Sequence, residues 1–511
     1  MTDEKPLADI SDRRIIQYFA CGFSLVVVSD IPNNWGIWFF VARGILVFLL
    51  VATYLMPTRQ SVLLLFMLAI AGQDIVSSGD LADASIEYAT ASIWQMHLGP
   101  INPSWIIFGS IFWQLFRIRE MIVPTFVNRA ILWFITVPVI TGLIYGGLFS
   151  EHAVVEVVQD LKFFIMLIAS FVLFYSLFKK DPRFLTIAIA AFTGVLLARH
   201  MADLIYLVAN VGPAIATGVS RASEDSAKGG VAFLVFFGLS LILIQRRLLL
   251  GIAVTIPSVL LLVAYGTRNL WITFLLGAVV SILLLGLRRS VLFISIAAVL
   301  SIGGIWALVM VNPESAAVVL ARSKSITEGR GPEQFAVLVD YNLISRIDQV
   351  RYAEIVNVFD SVGRRYAYLW GTGYGGYYED TIAYFPFDLK SSFPEHSLDT
   401  GKYYMTHSFS TQMFLKHGLI GMFFIYALWI IPGYALFKIF RNRNMFAADK
   451  PIMFNSAMFC IAAFLPTAML QTFWSGKGLF INGMIIASCA EFARHYTGTR
   501  VCLRTGPNLL T

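Results

Sequence analysis

The chain has 511 residues, of which 58% are hydrophobic and 14% charged, with a mean hydropathy of +0.72 and a formal net charge of +7. Soluble domains carry roughly 25% charged residues, so this composition excludes an ordinary soluble globule. The positive balance follows how Lys and Arg are distributed around membrane spans and makes no case for a nucleic-acid partner.

A span needs ~20 mostly apolar residues to cross ~30 Å of hydrocarbon. The N-terminal Met1–Lys5 is polar with no cleavable signal pattern, so the first span is expected to act as its own signal. In chain order the candidate spans fall at 15–30, 35–56, 60–76, 101–116, 130–149, 161–178, 184–209, 229–244, 248–265, 269–287, 290–311, 408–437, 451–471 and 475–491. The expected fold is an all-α integral membrane protein of about 14 transmembrane helices with one long external loop. It divides into spans 1–11 over residues 1–311, the external loop over 312–407, and spans 12–14 with a tail over 408–511. A second external loop, Ser77–Pro100, carries Asp80, Asp83, Glu87 and His97 with no Lys or Arg.

Charge sets the orientation. With the N-terminus in the cytoplasm, cytoplasmic segments hold 21 Lys and Arg, while short loops opposite hold five: Lys162, Arg221, Lys228, Arg268 and Lys477. The positive-inside rule then predicts both termini in the cytoplasm and the long loop outside.

Arg199, His200 and Asp203 fall inside span seven. Ionisable groups there are costly and point to function by default. Arg199 and Asp203, four apart, share one face, and a buried structural ion pair is the competing reading. Arg43 and Lys416 also fall within spans as weaker candidates, Lys416 on the helix face opposite His407. Arg268, in Tyr265-Gly266-Thr267-Arg268-Asn269, stands at the external N-terminus of span ten. A guanidinium beside free backbone N–H groups suits a phosphate; snorkelling to lipid headgroups is the alternative.

Within the long loop, Ser345-Arg346-Ile347-Asp348 has the form of a capping box. Ile347, Val350, Ile355, Val358 and Phe359 follow at helical spacing, predicting an amphipathic helix over 346–361 with Arg346 and Arg351 near its start. Gly371-Thr372-Gly373-Tyr374-Gly375-Gly376 predicts a tight irregular turn; it follows no buried strand and opens no helix, so a dinucleotide reading is weak. Half of the 20 tyrosines lie in this loop. Tyr374, Tyr377 and Tyr378 are candidates to pack against sugar rings or to form the loop's own core.

His407 opens span twelve, and on a regular helix Thr411, Gly418 and Gly421 share its face, the glycines letting another helix approach closely. An imidazole there can take a proton from a hydroxyl, or merely cap the helix end. Of the four cysteines, none lies in the loop, so no disulfide framework follows. No metal-ligand spacing and no Walker motif occur, so no metal, nucleotide or other cofactor is expected.

Three stretches resemble the O-antigen ligase and polysaccharide polymerase superfamily of bacterial inner membranes. They are Gly266-Thr267-Arg268-Asn269-Leu270; Arg346-Ile347 leading to Trp370-Gly371-Thr372-Gly373-Tyr374-Gly375; and His407 with Leu415, Gly418, Leu419 and Gly421. Ser408 stands where that family often has Asn, and bulky Asn-Leu-Trp follows Arg268 where it usually has small residues. The resemblance implies a GT-C-like, metal-independent glycosyltransferase whose donor is a glycan on undecaprenyl pyrophosphate. His407 would be the general base on the acceptor hydroxyl. Arg268, Arg346, Arg351 and Arg199 would hold the pyrophosphate.

The leading expectation is polymerisation of lipid-linked repeat units on the periplasmic face of the bacterial inner membrane. Beside the donor and membrane lipids, the partners in view are chain-length regulators or export proteins. The alternatives are a ligase moving glycan to lipid A core or another acceptor, and a transporter of polysaccharide or lipid-linked sugar. The absence of a clear internal repeat counts against a transporter.

Overall fold

The computed structural model describes residues 11–72, 90–94, 103–118, 126–149, 154–209, 229–243, 245–265, 268–285, 346–385, 395–406, 408–441 and 476–504, with isolated positions in 291–306 and 455–462. Among the described residues there is no strand, and two isolated bridges, Pro32 with Thr90 and Tyr378 with Tyr403, are its β-type pairings.

The helices are α1 (Asp12–Ser29), α2 (Ile37–Leu55), α3 (Thr58–Ala71), α4 (Pro103–Ile118), α5 (Phe126–Leu143), α6 (Val154–Lys180), α7 (Pro182–Ala209), α8 (Gly229–Leu243), α9 (Leu248–Tyr265), α10 (Arg268–Leu285), α11 (Arg346–Arg364), α12 (Glu395–Thr400), α13 (Phe409–Arg441) and α14 (Gly476–Arg504). Local chemistry explains several ends. The Ser11 hydroxyl accepts from the Arg14 N–H at 3.4 Å to cap α1. Pro103 and Pro182 occupy first positions, where a missing N–H costs nothing. Glu156 in the first turn of α6 and Lys179 and Lys180 in its last both complement the helix dipole.

Among the described residues four segments are long and apolar enough to cross a membrane: Ile37–Leu55, Val154–Lys180, Pro182–Ile205 and Phe409–Lys438. Shorter apolar helices of 10–17 residues accompany them. The protein is thus an almost entirely helical protein with membrane-spanning character. The candidate spans at 290–311 and 451–471 fall largely outside the described residues, as do most of Ser77–Pro100 and residues 312–345.

Packing is pairwise: α1 lies along α7, α6 along α14, α8 along α9 and α5 against α13. Phe66 sits within ring contact of Phe174, Phe192 and Phe480, and Phe192 continues to Phe233 and Phe459. This phenylalanine chain ties α3, α6, α7, α8 and α14 into one buried core, where dispersion between closely packed rings holds helices together without help from water.

One helix is not continuous. At Gly418, φ is 61° and ψ is −163°, and α13 breaks. Such a conformation is open essentially to glycine alone.

Candidate functional site

A break inside an apolar helix frees backbone groups that hydrocarbon cannot satisfy. Here the 366–378 segment, which follows α11, satisfies them. The freed carbonyl of Leu415 accepts from the Thr372 N–H at 2.7 Å and from the Thr372 hydroxyl at 2.8 Å. That of Lys416 accepts from the Gly373 N–H at 3.0 Å. In return, the N–H groups of Leu419 and Ile420 donate to the carbonyls of Tyr368 and Leu369, at 2.9 and 3.1 Å. The segment is spliced into the helix by reciprocal backbone bonds.

Close approach explains the glycines. Gly371, Gly373 and Gly375 all have φ between 72° and 79°, the left-handed region that glycine enters without cost. A β-carbon on Gly371 would lie 2.3 Å from the His417 nitrogen, and one on Gly373 2.2 Å from the Gly146 nitrogen. The expected irregular turn is therefore present, and its role is to dock against α13 and against the π-turn Ile144–Phe149 that ends α5. The reading of Gly418 and Gly421 as a helix-approach surface gives way to this: what meets Gly418 is the spliced segment, and Gly421 accommodates the His417 side chain of its own helix.

A buried ion pair locks the splice. Lys416 Nζ is 2.6 Å from Asp160 Oδ2 on α6 and donates to the Gly376 carbonyl at 2.7 Å. The same Asp160 oxygen accepts from the Gly375 N–H at 2.8 Å. Lys416 stands in the last turn before the break, where a cation suits the helix C-terminus. Beside it, His417 is buried with its ring edge-on to Phe164 and Tyr374, at centroid distances of 5.0 and 5.3 Å.

Beside the splice, α11 and the residues that follow it have their own small core. Ala353, Val358 and Val362 of α11 pack with Tyr378, Phe385, Tyr403, Phe414 and Leu415. Asn357, fully buried, donates to the Ala383 carbonyl at 2.7 Å and accepts from the Ile382 and Ala383 N–H groups. Tyr378 stacks on Tyr403 at 5.4 Å, and its hydroxyl reaches Glu354 at 3.4 Å. Burial, reinforced by the Glu354 charge, holds the Tyr378 phenol well above its ordinary value. Burial, with Asp380 nearby, pushes that of Tyr403 up to about 12.

On the surface of this core two cations converge on one ring. The Arg365 guanidinium carbon lies 4.4 Å and the Lys402 Nζ 4.6 Å from the centroid of Tyr377. Arg365 also donates to the Tyr377 carbonyl at 3.0 Å, and Tyr404 lies beside Tyr377 at 5.8 Å. Cation–π attraction holds such charges in place while leaving them partly solvated.

A second buried charge cluster lies on α7. Arg199, 2% exposed, gives Nη1 to Asp30 at 2.7 Å and Nη2 to Asp203 at 2.5 Å, with Nε also on Asp203 at 3.1 Å. Nη1 reaches the Ala71 carbonyl at 3.3 Å, and His200 Nδ1 is 3.8 Å from Asp203. Lys477, at the start of α14, donates to the adjacent Gly72 carbonyl at 2.7 Å.

The sequence candidates are thus distributed as follows. Tyr378 is fully buried in the loop's own core, the loop-core alternative; Tyr374 is fully buried too, but among the helices, against Phe164 and His417; Tyr377 is partly exposed. Arg199 is an interior ion-pair residue whose donors are taken by Asp30, Asp203 and Ala71. Arg268 is the first residue of α10, Arg346 the first of α11, and Arg351 lies in the second turn of α11; their side chains, and His407, lie outside the described residues. The helix expected over 346–361 runs from Arg346 to Arg364, while Ser345, its expected cap, is outside them. Sequence reading missed Asp160, Arg365 and Lys402. Asp160 was visible as a carboxylate at the edge of span six. Arg365 and Lys402 were inseparable from other loop cations until the fold joined them at Tyr377. Among the described residues no group of three His, Cys, Asp or Glu side chains is placed to hold a metal.

No protein-family model matches the chain, and no curated protein matches it.

Proposed function

We propose that the protein is an integral membrane glycosyltransferase that polymerises lipid-linked oligosaccharide repeat units into a surface polysaccharide. In this reading it is a GT-C-like protein of about 14 spans in the bacterial inner membrane. Both termini are cytoplasmic and the 312–407 loop is periplasmic. The observation that carries it is the pairing of Arg365 and Lys402 on Tyr377, beside Tyr404, in a segment spliced into a membrane helix. Cations and aromatic rings at the mouth of a membrane helix suit a donor with a pyrophosphate at one end and sugars at the other.

In the proposed reaction His407 takes the proton of the acceptor hydroxyl. The resulting oxygen attacks the anomeric carbon of the donor sugar. The bond from that carbon to the pyrophosphate oxygen breaks, and undecaprenyl pyrophosphate departs with the electron pair, neutralised by Arg268, Arg346 and Arg351. Because the leaving group is already a stabilised anion, arginines suffice. Arg199, paired with two carboxylates, supports the fold in this account. Chain-length regulators or export machinery are its proposed protein partners.

A ligase would use the same donor and residues with lipid A core or another glycan acceptor. A transporter reading draws on the broken helix, since transporters use freed backbone groups to bind ions. Against it, the freed groups of α13 are taken by Thr372, Gly373, Tyr368 and Leu369.

The test is reconstitution of purified protein in liposomes with a polyprenyl-pyrophosphate oligosaccharide, the products being resolved on a gel. A ladder supports a polymerase, and one addition requiring lipid A core supports the ligase. No product with either acceptor counts against transfer altogether.

A further inference from the structure

α11 carries two different apolar faces. One, formed by Ala353, Val358 and Val362, is buried in the loop core. The other is exposed: Tyr352, Ile355 and Phe359 are 42%, 43% and 50% accessible. At 100° per residue these three fall within about 60° of one another. An apolar helix face that stays accessible marks an interaction surface.

The open face has a definite continuation. Phe359 stacks on Phe414 of α13 at 4.5 Å, and Tyr368 approaches the same ring at 6.4 Å. Tyr368 and Leu369, both exposed, are bonded through their carbonyls to Leu419 and Ile420. From Leu419 the exposed apolar positions run down α13 through Phe423, Ile430 and Tyr434, spaced at four, seven and four residues. On an apolar helix of this length such a stripe is the lipid-facing surface. The strip on α11 is therefore continuous with it.

Phe409–Lys438, 30 residues, is longer than the ~20 that reach from one hydrocarbon boundary to the other. The Tyr368–Trp370 turn docks at Leu419 and Ile420, in its N-terminal half. Trp370 stacks on Tyr145 at 6.1 Å in this turn, and both residue types are enriched at the hydrocarbon boundary. On the polar flank of α11, Arg364 pairs with Asp360 and reaches Thr381.

We propose that α11 and the Tyr366–Trp370 turn lie in the membrane interface, with Tyr352, Ile355, Phe359 and Leu369 set against phospholipid acyl chains. The occupant of the open face is lipid, because the face extends the exposed apolar stripe of α13, a helix long and apolar enough to cross a membrane. The inference stands apart from the proposed reaction.

The experiment places the photo-crosslinking amino acid p-benzoylphenylalanine at Ile355, at Leu369 and, as a water-facing control, at exposed Asp399 on α12. The full chain is held in nanodiscs of phosphatidylethanolamine and phosphatidylglycerol, irradiated, and analysed by mass spectrometry. Phospholipid adducts at Ile355 and Leu369 but not at Asp399 are expected. Adducts joining two copies of the chain at these positions, or no lipid adduct at either, would overturn the proposal. Both positions are exposed, so a folded, monodisperse protein is expected in each case.

Discussion

Gly371 and Gly418 meet at the break in α13 so closely that a β-carbon on Gly418 would lie 2.5 Å from the Gly371 nitrogen. Two segments separated by more than 40 residues in sequence thereby share one backbone hydrogen-bond system. Gly418→Ala must take up both a glycine-only conformation and a collision with backbone that cannot rotate away. We expect a loss of at least about 2 kcal/mol of stability, read as a lowered Tm of the detergent-solubilised protein. Ala at Gly303, where nothing lies within 4 Å of a β-carbon, is the control.

The Lys416–Asp160 pair predicts non-additivity. Removing one partner, in Lys416→Met or Asp160→Leu, leaves the other buried and uncompensated at a cost of about 3–5 kcal/mol. The double variant is expected to be more stable than either single variant, although the Gly375 N–H then loses its acceptor. Thermal denaturation of the four proteins closes the cycle. Equal and additive losses would contradict a direct pair.

The Arg199 cluster predicts a different hierarchy. Arg199→Ala strands Asp30 and Asp203 together, two like charges without their shared cation. Its loss should exceed that of Asp30→Asn, because Asp30 is partly exposed, its side chain 26% accessible, whereas Asp203 is buried. Adding Asp203→Asn to Arg199→Ala should recover part of the loss. Yields of monodisperse protein and Tm values give the order.

The loop core sets an alkaline limit. A phenol whose folded pKa is raised holds its proton after the unfolded chain has lost it, so its contribution is complete below the unfolded value and lost as pH rises through the folded one. For Tyr403 that window runs from 10.0 to about 12. Amide exchange in residues 378–385 and 395–403, followed by mass spectrometry and expressed relative to the base-catalysed rate of the unfolded chain at each pH, should accelerate across it. Tyr403→Phe should weaken the response, leaving the part that Tyr378 contributes, and an unchanged response in that variant would assign the effect elsewhere.

Much of this arrangement was written locally. Apolar runs gave helices because ~20 such residues have no better solution in lipid, and the helical spacing over 346–361 led to α11. The glycine run from Gly371 announced its turn for the same local reason, the need for positive φ. What the turn docks against was not legible: Lys416 stood out only as a cation within a span, and nothing tied the carbonyls of Leu415 and Lys416 to the turn until Gly418 breaks the helix. Likewise, Arg199 and Asp203 showed their pairing through spacing, but Asp30 joins them from 169 residues away. Tyr374, Tyr377 and Tyr378 are neighbours in sequence that the fold separates into buried and exposed. Composition alone could not sort them.

The most direct measurement is glycan transfer by His407→Ala beside wild type, in liposomes carrying the same lipid-linked oligosaccharide, with donor binding measured on both. The account predicts that the variant binds donor as wild type does and forms no product, since the acceptor hydroxyl loses its base. Product formation at the wild-type rate would contradict it and remove His407 from the chemistry.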